Sequence, residues 1–265
     1  MKTILSIFSL IFLLVSCEDV IEIDLDSFEP KLVIEGSIND LDDPYTIKLS
    51  KTGDYFEPGI YPIVSDALVS ITDDKGIEIV FEESEPGMYT SDNLEVEELG
   101  SYTLQVQSEG EVYMAEGVVP QKVFIDSLSY DIPPSFYEFE DGYMLTCYLQ
   151  DPAEYRNYYR LIVYKKGNPE STDGMKYIFN DDFMNGNMIF MPWEDEAFFP
   201  QDTVVVELQT LDKSTYEYYL TLNSLAGGMF GASNPANPAS NLSNDALGFF
   251  GAYTVSRDTI VIQEK

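Results

Sequence analysis

Apolar and polar residues alternate in short runs along most of the chain, and turn residues separate the runs. Lys31-Leu32-Val33-Ile34-Glu35-Gly36, Tyr45-Thr46-Ile47-Lys48-Leu49 and Ala67-Leu68-Val69-Ser70-Ile71-Thr72 have the period of two that marks half-buried strands. Asp73-Asp74-Lys75-Gly76 reads as a hairpin-type turn, because Asp and Gly tolerate the positive φ that tight turns impose. Further strands follow at Ile77-Glu78-Ile79-Val80-Phe81, Gly87-Met88-Tyr89-Thr90, residues 100–106 and Val112-Tyr113-Met114-Ala115. This spacing predicts an immunoglobulin-like β-sandwich over residues 30–122. Gly87-x-Tyr89 and Gly100-x-Tyr102 each put a tyrosine near a strand start, where its ring suits a sandwich corner.

Val119-Pro120 and Asp126-Ser127-Leu128 mark the crossing into a second β-rich, sandwich-like region over residues 123–265. Its best strands are residues 143–149, 158–164 and 204–208, with a final one at Thr259-Ile260-Val261-Ile262. A long insertion, residues 168–201, holds Pro169, Asn180-Asp181-Asp182, Gly186 and the single tryptophan, Trp193; long connections of this kind are often functional. Asp212-Lys213-Ser214-Thr215 opens one short helix at about 213–225, stopped by Gly227-Gly228. The expected fold class is mainly β.

The N-terminus has a different pattern. Met1 and Lys2 precede an apolar run from Ile4 to Val15, which ends at Ser16-Cys17 and falls short of the roughly 20 residues that span a bilayer. A secretory signal peptide over residues 1–16 fits. A buried helix is the alternative, but the switch to Glu18-Asp19-Val20-Ile21-Glu22-Ile23-Asp24 leaves such a helix no amphipathic partner. Leu14-Val15-Ser16-Cys17 resembles the lipobox of bacterial lipoproteins, which implies lipidation of Cys17 and an acidic tether over residues 17–29. Glu18 and Asp19 are similar to the acidic signals that carry lipoproteins to the outer face of the outer membrane. A solvated tether explains the same residues and leaves the periplasmic face open. No later segment is long and apolar enough to cross a membrane, so a soluble body is expected after Cys17.

Charge and residue types narrow the function. The net charge of -33, from 47 acidic against 14 basic residues, argues against nucleic acid, which needs a basic footprint. The apolar share of 45% supplies material for packed cores, which separates this chain from disordered acidic ones. Cys147, left alone once Cys17 carries lipid, sits in a strand-like run as a small hydrophobe. The absence of histidine excludes Ser-His-Asp and Cys-His catalysis. A carboxylate pair of the glycosidase kind stays conceivable, although with so many acids no pair stands out. Asp40-Leu41-Asp42-Asp43 and Asn180-Asp181-Asp182 offer oxygen ligands but not the EF-hand pattern, so neither a metal nor a cofactor is expected.

Aromatic residues on irregular segments are the candidate binding surface: Tyr55, Phe56 and Tyr61 in one loop, and Phe190, Trp193, Phe198 and Phe199 in the insertion. The same rings could instead pack their loops onto the sheets. Asp126-Ser127-Leu128, Asp202-Thr203-Val204 and Asp258-Thr259-Ile260 resemble an O-glycosylation sequon of exported proteins, which makes Ser127, Thr203 and Thr259 candidate acceptors; a strand start explains them equally well.

Tyr158-Tyr159-Arg160, the tyrosine-rich helix, Asn234-Pro235-x-x-Pro238-x-x-Asn241 and Leu247-Gly248-Phe249-Phe250 together resemble the bacterial lipoproteins grouped as Domain of Unknown Function 4249. The resemblance implies an outer-envelope lipoprotein, anchored in the membrane by its N-terminal lipid, with no activity to transfer. It also implies a TonB-dependent outer-membrane transporter as partner. The expected function is therefore non-catalytic binding in an accessory role. The rival readings are a surface adhesin or structural envelope protein and, behind it, a carboxylate-based glycan hydrolase.

Overall fold

The structure, a computed structural model, describes residues 29–41, 44–53, 59–134, 141–166, 177–225 and 237–264. It is mainly β, as expected. The first seven strands are β1 (Leu32–Asn39), β2 (Tyr45–Lys51), β3 (Leu68–Asp73), β4 (Glu78–Glu85), β5 (Met88–Ser91), β6 (Ser101–Ser108) and β7 (Glu111–Val118). They pair in the order β1-β2-β5-β4-β3-β6-β7. β4 belongs to two sheets: Glu78 to Phe81 pair with β3, and from Glu82 onward it pairs with β5, with a register shift between Glu83 and Glu85. A strand that changes sheets makes a sandwich corner. The resulting layers, β1-β2-β5-β4 and β4-β3-β6-β7, follow the immunoglobulin-like arrangement.

Alternation determines which residues enter the core between these layers. Ile34 and Ile38 on β1, Ile47 and Leu49 on β2, Val69 and Ile71 on β3, and Tyr102, Leu104 and Val106 on β6 all point inward. Each such side chain contributes roughly 1.5–3 kcal/mol by burial. The two tyrosines at strand starts do what their spacing implies. Tyr102 Oη accepts from Glu97 N at 2.8 Å and donates to Glu95 O at 3.2 Å. Tyr89 Oη accepts from Ala67 N at 3.0 Å and donates to Val64 O at 3.3 Å. Both rings are buried, and both hydroxyls hold a loop to the strand that follows or faces it.

The next elements are β8 (Ser127–Asp131), β9 (Met144–Gln150), β10 (Tyr158–Lys165), β11 (Ile178–Asn180), β12 (Met188–Pro192), β13 (Thr203–Leu211), the helix α1 (Lys213–Leu225) and β14 (Leu247–Val261). A three-stranded sheet β12-β9-β8 faces β11-β10-β13-β14, and a second core fills the space between them with Leu145, Cys147, Leu149, Tyr159, Leu161, Val206 and Leu208 among others. Cys147 is wholly inside, and burial pushes its thiol up to about 12.

β14 joins the two halves. Its first part pairs parallel with β1, from Val33 opposite Leu247 to Asn39 opposite Tyr253; its second part pairs antiparallel with β13 from Leu211 to Thr203. Phe250 and Ala252 therefore lie in the first core, whereas Ile260 and Ile262 pack on the second. Polar contacts fix the junction. Lys122 pairs with the Asp40 carboxylate, which also accepts Val255 N at 2.8 Å, and Ile125 N donates to Ser256 Oγ at 3.0 Å.

Several expectations change here. The final strand starts at Leu247 instead of Thr259, because the Gly248-Phe249-Phe250 stretch is built into a sheet edge supplied by β1. The insertion, read only as a long connection, contains two further strands: β11 and β12 lie within it, one on the edge of each sheet of the second sandwich. Segment 127–131, which reads as a crossing, is the strand β8.

Candidate binding site

The aromatic residues singled out from the sequence fall into three groups. Tyr61, Phe190 and Phe199 are exposed. Trp193 and Phe198 are buried in the second core, contrary to the expectation of a surface role. The Trp193 ring stacks on Tyr177 with centroids 4.2 Å apart, the backbone N–H of Trp193 donates to Leu145 O, and Phe198 exchanges backbone hydrogen bonds with Tyr143. The physical reason is that this part of the insertion pairs along β9, from Met188 opposite Gln150 to Phe198 opposite Tyr143, so its largest rings fill the space between the sheets. Tyr55 and Phe56 lie outside the described residues, as do Cys17, Glu18 and Asp19.

Ser127, Thr203 and Thr259 all lie in strands, and the apolar residue after each, Leu128, Val204 and Ile260, packs in or against the second core. Ser127 and Thr259 are exposed and Thr203 is half-buried. The acidic loops hold protein donors. Asp181 accepts Asn157 N at 3.0 Å, and Asp182 pairs with Arg156 at 2.5 Å. Asp42 and Asp43 fall outside the described residues.

The residues that carry the family resemblance converge on one place, the surface where α1 lies across the ends of β10 and β14. Tyr216 packs on Tyr158, Tyr218 stacks on Phe249 at 4.0 Å, and the Arg160 guanidinium sits 4.4 Å from the Tyr219 ring. Asp212 caps the helix by accepting Thr215 N at 2.9 Å, and burial raises its carboxyl above the usual range. Asn241 acts as a surrogate strand: its Oδ1 accepts Phe250 N at 3.0 Å, and its Nδ2 donates to Phe250 O at 2.8 Å and to Glu116 O at 3.3 Å. Ser243 N donates to Met114 O, so segment 241–244 covers the outer edge of β7. Pro238 is described but Asn234 and Pro235 are not. These residues hold the two sandwiches and the helix together, and their polar atoms face one another instead of a cavity.

A better candidate lies at the seam between the cores. Leu99, Pro120, Gln121, Tyr155, Arg156, Asn157, Thr210 and Leu211 line a cleft of about 120 Å³. Its walls are mostly apolar, and its size approaches the ~150 Å³ of an engineered cavity that holds a benzene ring. Leu99 stands at the mouth with φ of 63°, a left-handed conformation uncommon for leucine, held by Leu99 N donating to Val119 O at 2.8 Å. Its side chain is exposed, as is the ring of Tyr155. Asn157 is buried, and its Oδ1 has no hydrogen-bond partner.

Next to this cleft the turn between β11 and β12 displays Phe183, which is 99% exposed. Hydrogen bonds brace this turn from within and from residues adjoining β9 and β10. Asp181 N donates to Asn157 O, Met184 N to Asp181 O and Asn187 N to Met184 O. Gly186 N donates to Asp151 Oδ2 at 2.8 Å, and the other oxygen of Asp151 accepts the Tyr159 hydroxyl at 2.5 Å. Burial and the Asp151 charge hold the Tyr159 hydroxyl protonated well above its ordinary range. A rigid turn presenting a large apolar ring, one residue from the Arg156–Asp182 pair on the cleft rim, can bind a partner at little conformational cost. Phe183 was missed in the sequence because it shares an insertion with five other phenylalanine and tryptophan rings, some buried and some exposed; only the Asn185-Gly186 turn signal marks the tip.

The model of the family described as Domain of unknown function (DUF4249) matches residues 18–259. No curated protein matches the chain.

Proposed function

Because the chain belongs to the DUF4249 family, a grouping defined without an activity, we propose that its role follows from its anchoring and its exposed rings: a lipid-anchored outer-membrane protein that binds a partner without catalysis. The observation that carries this reading is the braced, fully exposed Phe183 beside an apolar cleft on the seam between the two cores. Tyr155 and Arg156 on that concavity are of the residue types that dominate interface hot spots, and the Phe183 ring beside them adds apolar contact area. The run ending at Ser16-Cys17 marks Cys17 for lipidation, and Glu18-Asp19 directs the protein to the cell surface. An outer-membrane transporter of the TonB-dependent kind is the partner the family resemblance suggests, in an accessory role of ligand capture or transfer.

The test is a mild-detergent pull-down of the natively lipidated protein from its own outer membrane, with Cys17→Ala, Phe183→Asp and Leu99→Asp as controls. Aspartate tolerates the left-handed backbone at position 99, so that variant changes the surface without straining the loop. A transporter recovered by the native protein and lost with the Phe183 and Leu99 variants is the expected result. Specific retention on cells or polymers instead moves the protein to adhesion, and turnover of a glycan panel moves it to hydrolysis; either outcome displaces the accessory role.

A further inference from the structure

The described chain begins beside a second apolar feature that neither the cleft nor the cores use. Lys31 N donates to Thr52 Oγ1 at 3.1 Å and Thr52 N donates to Lys31 O at 3.0 Å, so the segment entering from Cys17 is tied to the end of β2. The loop 59–63 is held to that same strand end: Lys51 N donates to Pro62 O at 2.8 Å, and Ser50 bridges Ile63. Within it Ile60, Tyr61 and Ile63 are 60%, 64% and 62% exposed. Three large apolar side chains within four residues, all turned outward, are unusual on a surface as acidic as this one.

We propose that loop 59–63 rests on the lipid surface, with Ile60, Tyr61 and Ile63 entering the headgroup boundary and orienting the protein on its membrane. The inference rests on lipidation at Cys17. Residues 18–28 separate that cysteine from the described chain and can reach at most roughly 40 Å when extended, so the lipid keeps this end of the sandwich near the bilayer. Where the tether arrives, the apolar loop is its hydrogen-bonded neighbour through β2. Tyrosine and isoleucine suit that boundary, the phenol ring having one apolar face and one polar end. The net charge of -33 offers anionic lipid no attraction, so the contact is apolar and holds on zwitterionic lipid. A multiply acylated cysteine anchors the chain by itself, so the loop's role is to fix how the sandwich is oriented on the membrane.

The experiment uses the full mature chain, lipidated at Cys17, in phosphatidylcholine vesicles. A polarity-sensitive fluorophore is placed at Tyr61→Cys or, as a control, at Asp74→Cys in the turn at the other end of the same sandwich. Cys147 takes no label in the native protein, being buried with its thiol pushed up to about 12. The expected result is a blue shift and at least a twofold loss of emission at position 61 when headgroup-level nitroxide lipids are included, with no change at position 74. Adding Ile60→Asp and Ile63→Asp abolishes the quenching while the protein still floats with the vesicles. Flotation without quenching at position 61 overturns the loop contact and leaves the anchor intact; failure to float overturns the anchor and the loop contact with it.

Discussion

Trp193 and Phe183 lie ten residues apart in one insertion, and their fates define what single residues contribute. Trp193→Ala empties the second core and should cost about 3–5 kcal/mol, whereas Phe183→Ala should stay within about 0.5 kcal/mol. Urea denaturation of the two variants checks this, and equal losses would contradict the division between core and contact residue. A second expectation concerns alkali. Cys147 and Tyr159 keep their protons in the folded state to higher pH than in the unfolded chain, where they titrate near 9.0 and 10.0. The unfolded state therefore releases protons first, and stability falls as pH rises above about 9. The urea midpoint should drop between pH 8 and pH 10.5, and Cys147→Ala should make that drop shallower; a flat profile would refute the buried-acid argument. At this scale the sequence showed that the insertion carried rings, but not which way each ring turned, because inward or outward orientation is set by the edge strand it lands on.

Among the elements, α1 was legible and β14 only half so. The helix was readable to the residue from its capping aspartate and its tyrosine spacing, since both signals are local. The strands of the first sandwich were readable for the same reason: their alternation is complete within each run. β14 was not, because its first half owes its extension to β1, more than two hundred residues earlier, and to the side chain of Asn241. β11 is three residues long, too short for any period to show. Gly248 exposes the cost of this long-range pairing. Its φ is 91°, and a Cβ there would come within 2.0 Å of Ile34 O on β1. Gly248→Ala should destabilise the protein by about 2–4 kcal/mol, through backbone strain and a displaced strand together. Thermal unfolding followed by circular dichroism checks this, and a variant that melts with the wild type would mean that the β1–β14 pairing tolerates displacement.

For the whole molecule, the two proposed contact surfaces sit at opposite ends of β6. Leu99 and the cleft precede Ser101, while Glu109 follows Ser108 and pairs with Lys51 at 2.6 Å, on the strand end that holds loop 59–63. Eight residues of strand place roughly 25 Å between them. A lipid-seated loop thus leaves the cleft and Phe183 turned away from the bilayer, in reach of a partner projecting from it. The seam between the cores, where the cleft lies, could not be read in the sequence at all, since its walls come from residues 99, 120–121, 155–157 and 210–211.

The parallel pairing of β1 with β14 also has a mechanical meaning. A protein tethered at one end to a membrane and gripped at its second sandwich is pulled through the start of β1 and the far end of β14. In a parallel pair those two points lie at opposite ends, so tension slides the strands past each other and loads all seven residue pairs at once. Peeling, in which bonds break one after another, is avoided. Stretching a single molecule between its N-terminus and Thr259 should give a higher rupture force than stretching it between its N-terminus and Gly110, at the tip of the β6–β7 hairpin.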